Sequence, residues 1–247
     1  MTGTDAHTST ATQPVHWHVS DDAATWVSQC VLAIADALEA DLETQGKALL
    51  LLSGGNTPTP VYRAMADADL DWSRVHVGLV DERWTAPESA GSNARLVRET
   101  LLRSRAAKAM FMPLVDALDD ADRTAADASR TFAALGLAPS AIVFGMGDDG
   151  HTASLFARAG GMDHALATRD AYAAIDAIGC EDAGAWPTRI TLTPAIFAQA
   201  KTRLLLIHGA TKRHVLERAL AGDDVRELPV RSVVQSGNSP LHVLWYP

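Results

Sequence analysis

The chain has 247 residues, 47% of them hydrophobic, which is enough for a sizeable core in one large domain or two small ones. Its 21 Lys and Arg against 30 Asp and Glu leave a net charge of −9, which argues against a general nucleic-acid or membrane-surface binder. An anionic ligand would therefore need a local cluster of basic side chains set against the overall field.

Met1 to Gln13 contains no Lys, no Arg and no apolar block, so residues 1–13 read as a disordered tail rather than a targeting signal, with the folded part spanning 14–247. No apolar run approaches the ~20 residues that cross a bilayer. Cys30 and Cys180 lie far apart without CxxC spacing. They read as packing residues in a reducing compartment, and the chain as cytoplasmic.

Val15 to Val19 alternates as Val-His-Trp-His-Val and suits a first, edge strand. Asp21 or Asp22 then caps a helix from about Ala23 to Leu42, with Trp26, Val27, Cys30, Val31, Ile34 and Leu38 at helical spacing. Ala48 to Leu52 is continuously apolar, as expected of a central parallel strand buried on both faces. It runs into Ser53-Gly54-Gly55-Asn56-Thr57-Pro58, and Pro58 or Pro60 opens a helix holding Val61, Tyr62 and Met65. Such a turn exposes backbone N–H groups beside a positive helix end, a natural phosphate cradle. It is not a Walker A loop, because no GKS or GKT follows.

Val75 to Val80 is the next strand, ending in Asp81-Glu82-Arg83-Trp84, where Glu82 reads as part of a solvated loop. Ser92 and Asn93 precede a helix over Ala94 to Leu102; Phe111 to Leu114 reads as a short strand and Asp119 to Leu135 as a helix stopped by Gly136. Ala141 to Phe144 is a buried strand leading into Gly145-Met146-Gly147-Asp148-Asp149-Gly150-His151, after which Thr152 to Phe156 reads as the start of a helix. A strand at Ala171 to Ile178, a loop over Gly179 to Pro187, and Arg189 to Thr193 leading into a Pro194-initiated helix follow. Arg203 to Ile207 is a strand ending in His208-Gly209-Ala210-Thr211-Lys212 before a helix with Val215, Leu216 and Leu220. Val225 to Asn238 reads as a polar connection, and Leu241 to Tyr246 as the last strand.

This alternation predicts a single doubly wound, mostly parallel Rossmann-like α/β/α sandwich. Four strands end in polar, glycine-bearing or charged turns, and in such sheets ligands bind at the carboxyl ends of the strands. The turns should converge on one pocket holding Ser53, Asn56, Thr57, Asp81, Arg83, Asp149, His151 and Lys212. Gly145 to Gly150 formally matches GxGxxG, but its variable positions include Asp148 and Asp149, which would repel a pyrophosphate. Asp149, His151 and Asp81 lack the companion ligands of a metal site, and no G-x-S-x-G elbow is present. A histidine with carboxylates, scattered basic residues and a phosphate-type turn suit general acid–base chemistry on a phosphorylated small molecule.

Leu52 to Pro58, Val80 to Trp84 with Ser92-Asn93, Gly145 to Phe156, Arg189 to Thr193 and Gly209 to Lys212, in that order, resemble the 6-phosphogluconolactonase family. The resemblance implies hydrolysis of 6-phospho-D-glucono-1,5-lactone to 6-phosphogluconate in the oxidative pentose phosphate pathway. It implies no metal, nucleotide or other cofactor, and a partner list limited to the phosphorylated sugar lactone, with the chain a monomer or homodimer. His151 is then the expected general base, with Asp81, or as second choice Asp149, orienting it or the water. Ser53, Gly54, Gly55, Asn56 and Thr57 are expected around the substrate, and Arg83, Arg189 and Lys212 at its phosphate. Ala157 stands where the family often has proline, Thr193 meets Pro194 without an intervening Leu, and Thr59 stands where many members carry lysine. The rival readings are an amino-sugar-phosphate deaminase or isomerase, whose acid shortly after the histidine is missing from Ser154 to Arg158, and a non-enzymatic sugar-phosphate sensor, which would not need His151.

Overall fold

The computed structural model describes residues 14–247; the tail expected over 1–13 lies outside them. The chain runs β1 (Val15–Val19), α1 (Ala23–Thr44), β2 (Ala48–Leu52), α2 (Thr59–Met65), β3 (Val75–Leu79), β4 (Asp81–Arg83), α3 (Asn93–Thr100), β5 (Met110–Phe111), α4 (Ala121–Leu135) and β6 (Ala141–Phe144). It continues with α5 (Met162–Ala167), β7 (Tyr172–Asp176), β8 (Thr188–Leu192), α6 (Pro194–Phe197), β9 (Thr202–His208), α7 (Gly209–Leu220), α8 (Arg231–Gln235) and β10 (Leu241–Tyr246).

Seven strands form one sheet in the order β1-β10-β9-β6-β2-β3-β5, with every pairing parallel. β1 is the edge strand expected from its alternation, and the five buried residues of β2 sit at the centre. A strand covered on both faces has no polar side to show, which is why Ala48 to Leu52 reads as an unbroken apolar run. Asp22 is the residue that caps α1, accepting from Thr25 N at 2.8 Å. The helix buries Trp26, Cys30, Ile34 and Leu38 as one stripe at four-residue spacing.

The strand numbering reverses direction between β2 and β6, so the turns that follow them lie side by side. This is the crevice where an open parallel sheet takes a ligand.

Three strands form a second, antiparallel sheet in the order β4-β8-β7. It joins the first through Val80, the one residue between β3 and β4. Val80 N–H donates to Leu52 O at 2.8 Å, and Val80 O accepts from Leu192 N at 2.7 Å.

Three sequence expectations are corrected. Thr152 to Phe156 does not start a helix; the next one is α5. Ala153 sits at φ 50°, Thr152 bridges Leu155, and Ser154 N–H donates to Thr191 Oγ1 at 3.1 Å, so the backbone donors go sideways rather than up a helix. Glu82 is not in a solvated loop: it lies in β4 and is 1% exposed. The Val225–Asn238 connection contains α8, where Val230, Val233 and Val234 are buried. There Arg231 is buried among carbonyls of Ala219 and Asp224 with Glu227 beside it, so a basic residue does a core residue's work.

Candidate active site

At the carboxyl ends of β2, β3, β6 and β9 lies a cleft of about 210 Å³. Ser53, Gly54, Gly55, Asn56 and Thr57 line it from the turn after β2, Asp81 and Arg83 from β4, His151 from the turn after β6, Arg189 from β8 and Lys212 from the first turn of α7. The structure thus brings together all but one of the side chains expected there. Asp149 stands just behind the lining and reaches the cleft through His151: its Oδ1 is 2.6 Å from His151 Nδ1.

The His151–Asp149 contact is made inside one tight turn. Asp149 Oδ1 also accepts from His151 N at 3.0 Å, and Gly147 N–H donates to His151 O at 2.9 Å. A Cβ on Gly147 would overlap the imidazole, so glycine there lets the ring fold back over its own loop. Burial alone would push the Asp149 carboxyl up. The hydrogen bond and charge of His151 outweigh burial and hold it below the ordinary carboxylate value. With Nδ1 given to Asp149, Nε2 is the nitrogen left to accept a proton.

Asp81, the first choice to orient the imidazole, is occupied elsewhere. It accepts from Ser154 Oγ at 2.6 Å and from Asn93 Nδ2 at 3.3 Å, and its Oδ2 lies 3.8 Å from an Arg189 nitrogen. Arg189 is 5% exposed, and its other nitrogens donate to the carbonyls of Trp186 and Ala183. Phe156 lies between imidazole and guanidinium, its ring 4.4 Å from that of His151 and 5.5 Å from Arg189 Cζ. Glu82 caps α3: its carboxylate accepts from Arg83 N, Asn93 N, Ala94 N and Ser92 Oγ at 2.7–3.0 Å. Burial nevertheless raises its pKa above the ordinary value.

Two lining residues with polar side chains were not picked out as site residues from the sequence. Asn93 was visible as a polar residue at a helix start and as part of the Ser92-Asn93 piece of the family resemblance, without a site role, and its side chain packs against Gly54, where a Cβ would overlap its amide oxygen. Asp182 comes from the loop between β7 and β8 and gave no signal. Burial first, then Asp149, raises its pKa. Ligating atoms of Asp149, His151 and Asp182 lie within 4.8 Å of one another, so these three, without Asp81, have the spacing to hold a cation. Ser53 Oγ, Asn93 Oδ1 and Arg83 Nε are buried at the cleft with no hydrogen-bond partner among the described residues, an unspent polar rim for a ligand.

The family model described as glucosamine-6-phosphate isomerases/6-phosphogluconolactonase matches residues 21–245. The chain belongs to this family. A 6-phosphogluconolactonase of Xylella fastidiosa is 43% identical over 225 residues, 91% of this chain and 93% of that one. A 6-phosphogluconolactonase of Pseudomonas aeruginosa is 41% identical over 214 residues, 87% of each. The crystal structure of a 6-phosphogluconolactonase from Shewanella baltica superposes with a TM-score of 0.89 at 32% identity, covering 96% of this chain and 99% of that one. A monomeric glucosamine-6-phosphate deaminase shares the fold alone, at 15% identity and a TM-score of 0.77 over 94% of this chain and 97% of that one. Among the described residues no helix is long and apolar enough to cross a membrane.

Proposed function

We propose that this member of the family hydrolyses 6-phospho-D-glucono-1,5-lactone to 6-phospho-D-gluconate, the lactone-opening step of the oxidative pentose phosphate pathway. The observation that carries the reading is the 2.6 Å His151–Asp149 contact set at a cleft that also holds a glycine turn and three basic side chains.

His151 Nε2 takes a proton from water as its oxygen bonds to the lactone carbonyl carbon, and the carbonyl electron pair moves onto its oxygen. Asp149 holds the ring in the tautomer that leaves Nε2 basic and stabilises the imidazolium that forms. Backbone N–H groups of the glycine turns offer the donors for the oxyanion. Collapse of that intermediate breaks the bond to the ring oxygen, which receives the proton from His151 and leaves as a hydroxyl. Arg83, Arg189 and Lys212 neutralise the phosphate by charge-assisted hydrogen bonds. Asp81 acts by fixing Ser154, Asn93 and Arg189 around the substrate. The partner in this reading is the sugar-phosphate lactone alone, with no nucleic acid or membrane, the chain acting as a monomer or homodimer.

The deaminase reading lacks a carboxylate over Ser154 to Arg158 to relay a proton during ring opening. The test is hydrolysis of freshly generated lactone at slightly acidic pH, with product formation coupled to a dehydrogenase. Fast turnover lost in His151→Ala is expected. No acceleration by folded wild type would overturn the function, and full turnover in the variant would move the base elsewhere.

A further inference from the structure

The Val-His-Trp-His-Val run of β1 plays no part in that reaction. Alternate side chains of a strand share a face, so His16 and His18 point the same way. β1 pairs in parallel with β10, and His16 stands opposite His242. Three imidazoles therefore meet at the outer edge of the large sheet, in the part away from the cleft. His18 Nε2 lies 3.0 Å from His242 Nδ1 with ring centroids 5.2 Å apart, and His16 stands edge-on to His242 at 5.4 Å.

We propose that His16, His18 and His242 form a binding site for a late first-row divalent cation of the Zn²⁺ class. Zn²⁺ takes imidazole nitrogens at 2.0–2.1 Å in a tetrahedron, which sets two ligating nitrogens about 3.3 Å apart. The His18–His242 pair already stands at 3.0 Å, so a small opening admits the ion. As they stand the three rings do not bring their nitrogens within 4.8 Å of one another, so the site needs the exposed His16 ring to turn a nitrogen inward as third ligand, with water as the fourth. Arg203 is turned toward the carbonyls of Val233, Ser236 and Ser239. Across the groove beside His18 and His242 stands Asp36 of α1, the one carboxylate among its described lining residues and a counter-charge for a bound cation.

The experiment is calorimetric titration of the full chain with Zn²⁺ at about pH 7.5, where ordinary imidazole is mostly neutral. It is run on wild type, His18→Ala, His242→Ala and Asp149→Asn, the last removing the cation-spaced cluster of the cleft. One equivalent that persists in Asp149→Asn is expected. Its affinity should fall in each histidine variant by more than the ~10–100-fold that loss of an outer-shell partner costs. Zn²⁺ should also raise the Tm of Asp149→Asn and not that of the double variant Asp149→Asn/His242→Ala, in which both clusters are broken. His18→Ala, far from the cleft, should keep the wild-type lactonase rate without metal, which reports that it folds. No binding by wild type, unchanged affinity in both histidine variants, or loss only in Asp149→Asn would each overturn the site.

Discussion

Ser154 Oγ donates to Asp81 Oδ2 at 2.6 Å across 73 residues of sequence. This bond ties the turn after β6 to the point where the chain leaves the large sheet. Asp81 is also, among the described residues, the carboxylate within 4 Å of the buried Arg189 guanidinium, at 3.8 Å. Removing one partner of a buried pair strands the other, at a cost of ~3–5 kcal/mol. Asp81→Ala should lose about that much in urea unfolding, and Ser154→Ala about 1.5–3 kcal/mol for a hydrogen bond to a charged group. Wild-type midpoints in both variants would show that this network does not hold the site.

Asp149→Asn tests the dyad. An amide can offer N–H to Nδ1 and so favour the tautomer whose Nε2 carries the proton. Steady-state kinetics should show kcat down by about 10²–10⁴-fold, the span of general-base catalysis, with KM little changed. A variant with wild-type kcat would return the orienting role to another group.

Lys212 is half-buried in the first turn of α7 and lines the cleft. Lys212→Ala should raise KM while sparing kcat, lowering kcat/KM by roughly 10–100-fold for the loss of a bond worth ~1.5–3 kcal/mol. Arg189→Ala should raise KM more than it slows chemistry and should in addition lower stability, because it also holds the Trp186 and Ala183 carbonyls. An unchanged KM in either variant would remove that residue from the phosphate.

Glu82 gives a pH dependence of definite sign. Its folded pKa lies above the ordinary 4.5, so the folded state keeps this proton longer than the unfolded chain does. That contribution is whole below the unfolded pKa and is lost as pH rises through the folded one. Denaturant unfolding from about pH 4 upward should show the advantage of wild type over Glu82→Gln shrinking as pH rises, beyond the unfolded carboxylate pKa of about 4.3. A gap that widens with pH would mean the four donors outweigh burial.

Gly54→Ala should cost activity through a residue it never touches in sequence. The new methyl group would overlap the Asn93 amide, which now donates to the backbone and carboxylate of Asp81. Turnover should fall and be partly recovered by Asn93→Ala in the same chain, which opens the space. A double variant no better than Gly54→Ala would point instead to the turn's own backbone.

The large sheet was legible because its strands are short apolar runs with polar ends, and that pattern needs no long-range knowledge. The convergence of four turns on one cleft followed from the same pattern. The small sheet was not legible as such: β4 is three charged residues, Asp81, Glu82 and Arg83, and charge in a row reads as surface. The amides of Asn93 and Ala94 at the start of α3, with Arg83 N and Ser92 Oγ, make Glu82 tolerable inside. That Asp149 and not Asp81 contacts the His151 ring was equally hidden, because one contact spans two residues and the partners of Asp81, Ser154 and Arg189, are distant in sequence. α8 escaped because its buried valines are outnumbered by polar neighbours over Val225 to Asn238.

Val80 carries a further consequence. Its N–H belongs to one sheet and its carbonyl to the other, and Tyr172 Oη, donating to Leu79 O at 2.9 Å, ties the two layers a second time. His151 hangs from a loop of the large sheet, whereas Arg189 rides on the small one. His151 and Arg189 are therefore held apart by main chain as well as by side chains, and a substitution that disturbs Val80 would be felt on both walls of the cleft.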